Sequence, residues 1–311
     1  MRETEKRWWA APAALGLLFL AAALFIPSFR QPKMYLTILK NGAYNGIMAL
    51  GLLFVLLSGE IDLSISAQLS FFGVLCAMLL KKGVPIPLAV LAMLAAAALV
   101  GCLLGTVVGR LRVNSVIATI ALGVALEGLT YILAGGVPVY NLPEGFTSLT
   151  SYKLFQLSQP TLAWFLLTLL TALILRQTYW GRFFYAVGRS PMAAERAGVP
   201  VWKTKQAAFA LCSLYCGVCA LVYIAQIGLA PLRDSSNANV SILAIAALGG
   251  VSFSGGRGRV VPVFCAAVFL SALTSIFIVL RMPSYYQNCI KGAIIFFAVL
   301  TKMPRPKFCP P

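Results

Sequence analysis

The sequence predicts an all-α integral membrane protein, a polytopic helical bundle of about ten transmembrane helices, some short or broken. Three observations predict it. The 311 residues are 60% hydrophobic and only 11% charged, whereas soluble domains are roughly half apolar and about a quarter charged. Apolar runs near the ~20 residues that cross a ~30 Å hydrocarbon core recur along the whole chain. Proline, glycine and charge punctuate those runs.

The predicted spans cover residues 8–27, 41–58, 63–80, 86–109, 114–134, 160–176, 206–227, 239–254, 260–280 and 285–301. The first follows "MRETEKRWW" and ends in "FIPSFRQPK" without a small-residue cleavage pattern, so it reads as a retained helix rather than a signal peptide. The second and eighth are short and flank glycines. One transmembrane domain therefore fills residues 1–311.

Basic residues set the expected orientation. With the N-terminus cytoplasmic, one side collects Arg2, Lys6, Arg7, Arg110, Arg112, six positions between 176 and 205, Arg257, Arg259 and the C-terminal cluster from Lys302. The other side holds a smaller set, from Arg30 and Lys33 to Arg233 and Arg281. The positive-inside bias then puts both termini in the cytoplasm, which an even number of spans permits. The net charge of +17 is explained by these short loops. No basic face with interleaved aromatics suggests nucleic acid.

Several chemistries are excluded. The chain has no histidine and no Gly-Lys dipeptide, which removes histidine-based triads and a phosphate-binding Walker loop. Of the eight cysteines, Cys212, Cys216 and Cys219 share a helix face; buried in hydrocarbon, a thiol behaves as a small hydrophobe. Among the acidic residues only Glu127 sits well inside a span, while Glu60 and Asp62 lie at a span end. An autonomous proton-coupled carrier would lean on more intramembrane carboxylates.

Glycine spacing marks helix contacts. Gly101, Gly105 and Gly109 recur every four residues, and Gly42 and Gly46 repeat the step, a pattern that lets backbones approach closely. "ALG" occurs at 49–51, 121–123 and 247–249; the first and third begin runs ending in Ser-Gly at 58–59 and 254–255. That is the mark of two related halves, or of a common tripeptide.

Segment 177–205 is polar, basic and the longest predicted cytoplasmic stretch. Within it "SPMAAERAG" carries helix signals: Ser190 as N-cap, Pro191 at the first turn and Gly198 as stop. Such a helix is either a connector or a docking element for a soluble partner. In "SGEIDLS" (58–64), Gly59 ends one span and the next begins near Ser64. Asp62 beside the first turn would satisfy free N–H groups; direct contact with a solute is the alternative.

These motifs, in order, resemble the ribose-type ABC transporter permeases. "NGIMALGLLFVLLSGEIDLSISAQLSFFGVLCAML" (45–79) is similar to a signature in which Gly-Gly-Ile-Asp-Leu-Ser is usual. "VNSVIATIALGVALEGLTYILAGGVPVY" (113–140) resembles the next, which ends in a Gly-Gly-x-Pro turn. "FYAVGRSPMAAERAGVPVWKTKQAAF" (184–209), "SILAIAALGGVSFSGGRGRV" (241–260) and "IKGAIIFFAVL" (290–300) resemble the later ones. Glu60 is a departure, standing where these permeases usually have glycine; a contact with Arg257 or Arg259 is one option for it.

The resemblance implies a translocation subunit in a bacterial-type plasma membrane. Its partners would be a second permease chain, ATP-binding subunits and an extracytoplasmic substrate-binding protein, with lipid around it. ATP and magnesium would sit in the partner ATPase, with no cofactor in this chain. Arg189, Ala193, Ala194, Glu195 and Gly198 would form the coupling helix, and Gly59, Glu60, Asp62 and Ser64 the signature turn. Asn45, Asn114 and Glu127 are polarity-based candidates for the pathway, or else bond neighbouring helices. The solute would be a monosaccharide or related compound; similar permeases carry nucleosides. An ion-driven secondary carrier and a scaffold or channel-like protein are the competing classes, and both leave the 177–205 motif unexplained.

Overall fold

The structure is a computed structural model and describes residues 12–13, 15–19, 27–148, 157–232 and 238–300. Most of the expected first span, both terminal basic clusters, Lys153, Arg233 and Asp234 lie outside the described residues. Among the described residues the regular secondary structure is helical, and an isolated bridge pairs Val139 with Ala230, joining two loops.

Twelve α-helices follow: α1 Pro32–Leu57, α2 Ile65–Lys81, α3 Ile86–Gly109, α4 Ser115–Ala134, α5 Glu144–Thr147, α6 Gln159–Gln177, α7 Tyr179–Arg189, α8 Pro191–Arg196, α9 Val201–Ile227, α10 Ala238–Leu248, α11 Val260–Val279 and α12 Ser284–Leu300. Six of them (α1, α3, α4, α6, α9 and α11) are long and apolar enough to cross a membrane, and α2 and α10 are shorter apolar helices. The predicted 86–109 span coincides with α3. The predicted spans at 41–58 and 206–227 begin too late, because the opening two to three turns of these helices carry Lys33, Lys40, Lys203 and Lys205. The predicted 239–254 span stops at Leu248, where Gly250 turns the chain with φ +76°.

α1 is the central post. It packs against α6, α9, α10 and α11, and every residue from Gly46 to Ser58 is buried. Its 26 residues make a rod of about 39 Å at ~1.5 Å per residue. Small residues permit the contacts. Gly42 faces Ser271 of α11, and Gly46 lies under the ring of Trp164 from α6.

The Gly101/Gly105/Gly109 stripe does what its spacing predicts. A methyl at Gly101 would lie 2.6 Å from the Ala210 Cα, and one at Gly105 2.5 Å from the Gln206 Cα. Only glycine lets α3 and α9 seat backbone to backbone, and the amide of Gln206 then reaches Thr106 Oγ1 at 2.8 Å. α4, by contrast, packs on α2 and the edge of α3 and is otherwise bare: Ile117, Val124 and Ile132 are 66%, 68% and 77% exposed.

Candidate functional site: a junction at the basic end and a break inside the bundle

The 177–205 segment forms two short helices rather than one. α8 is the predicted element: Ser190 Oγ accepts from Ala193 N–H at 3.2 Å, Pro191 occupies the first turn, and Gly198 reverses the chain at φ +79°. α7 was missed, although Gly181, Phe184, Val187 and Gly188 recur at helical spacing and form its buried face. Thr178 caps it, accepting from Gly181 N–H at 3.2 Å. Of the predicted coupling residues, Arg189, Ala193, Glu195 and Gly198 are exposed, and Ala194 is buried beneath them.

α7 ends on a three-way backbone junction. Gly188 touches both Ser-Gly turns of the sequence repeat. Gly256 N–H donates to the Leu57 carbonyl at 3.1 Å. A methyl on Gly255 would lie 2.6 Å from the Gly188 carbonyl oxygen and 2.7 Å from the Gly59 Cα. A side chain on Gly188 itself would overlap the Leu57 carbonyl and the Gly256 N–H. Around this point Tyr185 donates its hydroxyl to the Gly258 carbonyl at 2.8 Å. Burial pushes the Tyr185 phenol up, opposed by Arg259, so it stays a donor at neutral pH. Phe184 packs edge-on to Phe54 of α1, which in turn packs on Tyr215 of α9.

From the junction, residues 60–64 run without helical structure to the start of α2. Glu60 meets Lys205, not Arg257 or Arg259: Lys205 Nζ donates to Glu60 Oε1 at 2.5 Å, and both side chains are largely shielded. Lys205 is in the second turn of α9. Four residues along the chain from Glu60, Ser64 lies against Gly123 in the third turn of α4, so the stretch enters the bundle rather than staying at its end, where a position between two apolar runs would put it.

Asp62 is buried and well supplied with donors. Its Oδ1 accepts from Ser64 N–H at 2.8 Å and from Ser64 Oγ at 2.6 Å; its Oδ2 accepts from Gln68 Nε2 at 3.3 Å. The same Gln68 amide donates to Ser64 Oγ at 2.8 Å. Ser64, not Asp62, occupies the N-cap position of α2, and the carboxylate serves the turn from two residues before it. The polar side-chain atoms of Asp62 and Ser64 and the Gln68 N–H₂ are all paired internally, as a bilayer interior favours, and among the described residues Gln68 Oε1 is the one atom of the cluster left without a partner.

Other helices hold the same segment. Ile61 N–H donates to Ser115 Oγ, the first residue of α4, at 3.3 Å. Asn239, at the start of α10, receives Ser66 N–H on Oδ1 at 3.1 Å and donates Nδ2 to the Leu63 carbonyl at 2.9 Å. Two helices, α4 and α10, thus begin against one irregular stretch. Sequence reading missed Ser115, Lys205 and Asn239, whose partners lie 54 to 176 positions away in the chain, and Gln68, whose partners are only four and six positions away but on the far side of a helix start.

The pathway candidates separate. Asn114 caps α4, its Oδ1 accepting from Val116 and Ile117 N–H at 2.9 and 3.4 Å. Asn45 is half-buried on α1. Glu127 is half-buried on α4, about 18 Å from the start of that helix. Among the described residues no group of three His, Cys, Asp or Glu could hold a metal ion.

The described residues thus form a multi-span helical bundle with an irregular break between α1 and α2 and a pair of short helices at its basic end. The chain belongs to the family described as branched-chain amino acid transport system / permease component, whose model matches residues 34–299. It is 31% identical over 296 residues to the ribose import permease protein of Escherichia coli (strain K12), covering 92% of this chain and 91% of that one. It is 28% identical to the L-arabinose ABC transporter permease protein of Azospirillum brasilense, over 91% of this chain and 84% of that one. It is 30% identical to the autoinducer 2 import system permease protein of Enterobacter sp. (strain 638), over 80% of this chain and 73% of that one. As a member of a permease family, the chain is a multi-pass transport component and not an enzyme.

Proposed function

We propose that this chain is the membrane-spanning subunit of an ATP-driven importer for a monosaccharide or a related small polar solute. One observation carries the reading beyond family membership. α7 and α8 project exposed Arg189, Glu195 and Gly198 from the basic end, while the buried face of α7 is keyed into the backbone of α1 and the 252–258 turn through Gly188. A cytoplasmic ATPase pressing on α8 would therefore act on the bundle interior. The printed names of the relatives support a sugar-like solute.

The basic end faces the cytoplasm in this reading, with both termini there, as the positive-inside bias favours. ATP and magnesium belong to the partner ATPase, and an extracytoplasmic binding protein delivers the solute. Intramembrane carboxylates are costly and usually serve a pathway or an interhelical contact, so Glu127, half-buried on α4, is assigned to the pathway side in this reading. Asn45, half-buried on α1, is a pathway-side residue of the same scheme.

The test is reconstitution in liposomes together with candidate ATP-binding subunits and extracytoplasmic binding proteins from the same organism. Solute uptake that requires all components and ATP is the expected result. Uptake by this chain alone, driven by an ion gradient, would overturn the proposal.

A further inference from the structure

The irregular stretch between α1 and α2 touches more of the molecule than its length suggests. At one end it is gripped by both flanks of the 177–205 segment: Gly188, at the close of α7, lies against Gly59 and Leu57, and Lys205, in the second turn of α9, binds Glu60. At the other end it is bonded to the first residues of two helices, Ser115 of α4 and Asn239 of α10. Between these grips Asp62, Ser64 and Gln68 stiffen it with hydrogen bonds. The ends of the stretch are tied into the flanking helices, Glu60 N–H donating to the Val55 carbonyl at 3.1 Å and the Ser64 carbonyl accepting from Gln68 N–H at 2.8 Å, so displacement of one end is passed along residues 61–63 to the other.

We propose that residues 58–66 are a strut that carries movement of the 177–205 segment to the starts of α4 and α10, with the Glu60–Lys205 ion pair as its fastening. Glu60 and Lys205 are positioning residues in this scheme and do not touch solute. The pair is partly shielded, so neither charge is freely solvated, and losing one partner strands the other. Gly188 supplies contact without directionality, whereas the ion pair makes the link work in both pull and push. The mechanical link stands on this geometry alone; its use in a transport cycle rests on the proposed function.

Two readouts test it. The first is amide exchange on the purified chain in lipid nanodiscs, comparing wild type with Glu60→Gln, Lys205→Gln and the exchanged pair Glu60→Lys with Lys205→Glu. Glu60→Gly, which installs the residue usual in similar permeases, serves as the variant best able to fold. The single variants should raise exchange about tenfold at 63–66 and at 238–240, sites that neither residue contacts, and the exchanged pair should return it to near wild type. Faster exchange confined to 58–61 and 203–206 would overturn the strut. The second readout is solute moved per ATP hydrolysed in the reconstituted transporter. The single variants should lower that ratio about fivefold, with hydrolysis changed less than about twofold. Parallel loss of both, tracking the amount of folded protein, would mean a merely structural pair and overturn the proposal. If the wild-type chain engages no ATPase, the importer reading fails, and the exchange pattern still decides the strut.

Discussion

α1 and α4 are both apolar helices, and α4 is the more apolar of the two, yet α1 is largely buried and α4 largely bare. In a water-soluble protein that order would be reversed. In a bilayer, lipid tails are as apolar as leucine, so apolarity does not drive a helix inward; close packing and internal polar bonds do. α1 is interior because Gly42 and Gly46 let Ser271 and Trp164 approach it, and because its C-terminal turn is bonded into the basic-end junction. α4 carries Gly123 and Gly128 too, but nothing lies within 4 Å of where a Gly128 side chain would start.

The sharpest way to break this contrast is at Trp164, which is fully buried over Gly46 and stacked on Phe264 with ring centroids 4.4 Å apart. Trp164→Ala should cost about 3–5 kcal/mol of stability, the range for large-to-small changes at a closed site. Thermal unfolding in detergent micelles would show it, and a change below about 1 kcal/mol would mean that α1 and α6 are not held as described.

Gly188→Val comes next. Its side chain meets backbone rather than a movable side-chain tip, so relaxation must shift α7 or the 252–258 turn. The expected loss is about 3 kcal/mol, at the upper end for overpacking, read from the folded fraction after membrane extraction. Gly128→Val on the bare face of α4 is the control and should leave the isolated chain as stable as wild type.

Asp62→Asn probes the interior polar cluster. The new amide can keep the Ser64 bonds on its oxygen but turns an N–H₂ toward the Gln68 amide, setting donor against donor. A cost of about 1–3 kcal/mol follows from a buried polar group losing its partner, seen as lower thermal stability without altered solute preference. A stable variant with a changed solute range would instead place Asp62 on the pathway.

The smallest effects belong to exposed positions. Ile132→Ala and Glu195→Ala should each shift stability by less than about 0.5 kcal/mol, as surface changes do. They should part company in transport: Glu195→Ala is expected to abolish uptake while the chain inserts normally, and Ile132→Ala to leave it intact. Normal uptake with Glu195→Ala would remove the coupling role from α8.

Much of this molecule was legible one segment at a time. The span at 86–109, the capped helix after Ser190 and the glycine seam at 101–109 each depend on residues within a few turns of each other, and hydrogen-bonding and steric rules at that range act on local sequence alone. The departure at Glu60 was visible too, but its meaning was not. The candidates suggested by local sequence, Arg257 and Arg259, flank the neighbouring turn, and the partner is Lys205, 145 positions away.

What the sequence by itself determined is the all-helical class, several of the long apolar helices, their membrane character and the small residues available for contact. What only the tertiary structure decided is depth and pairing: that Asp62 lies inside the bundle, that the two Ser-Gly turns meet on Gly188, and that α2 and α10 start against one irregular stretch. The physical reason is that a helix's periodicity records which of its faces are small or polar, but not which other helix they will face. That choice is made by the simultaneous packing of the long helices, where a backbone approach at one glycine fixes the register of side chains a hundred residues away.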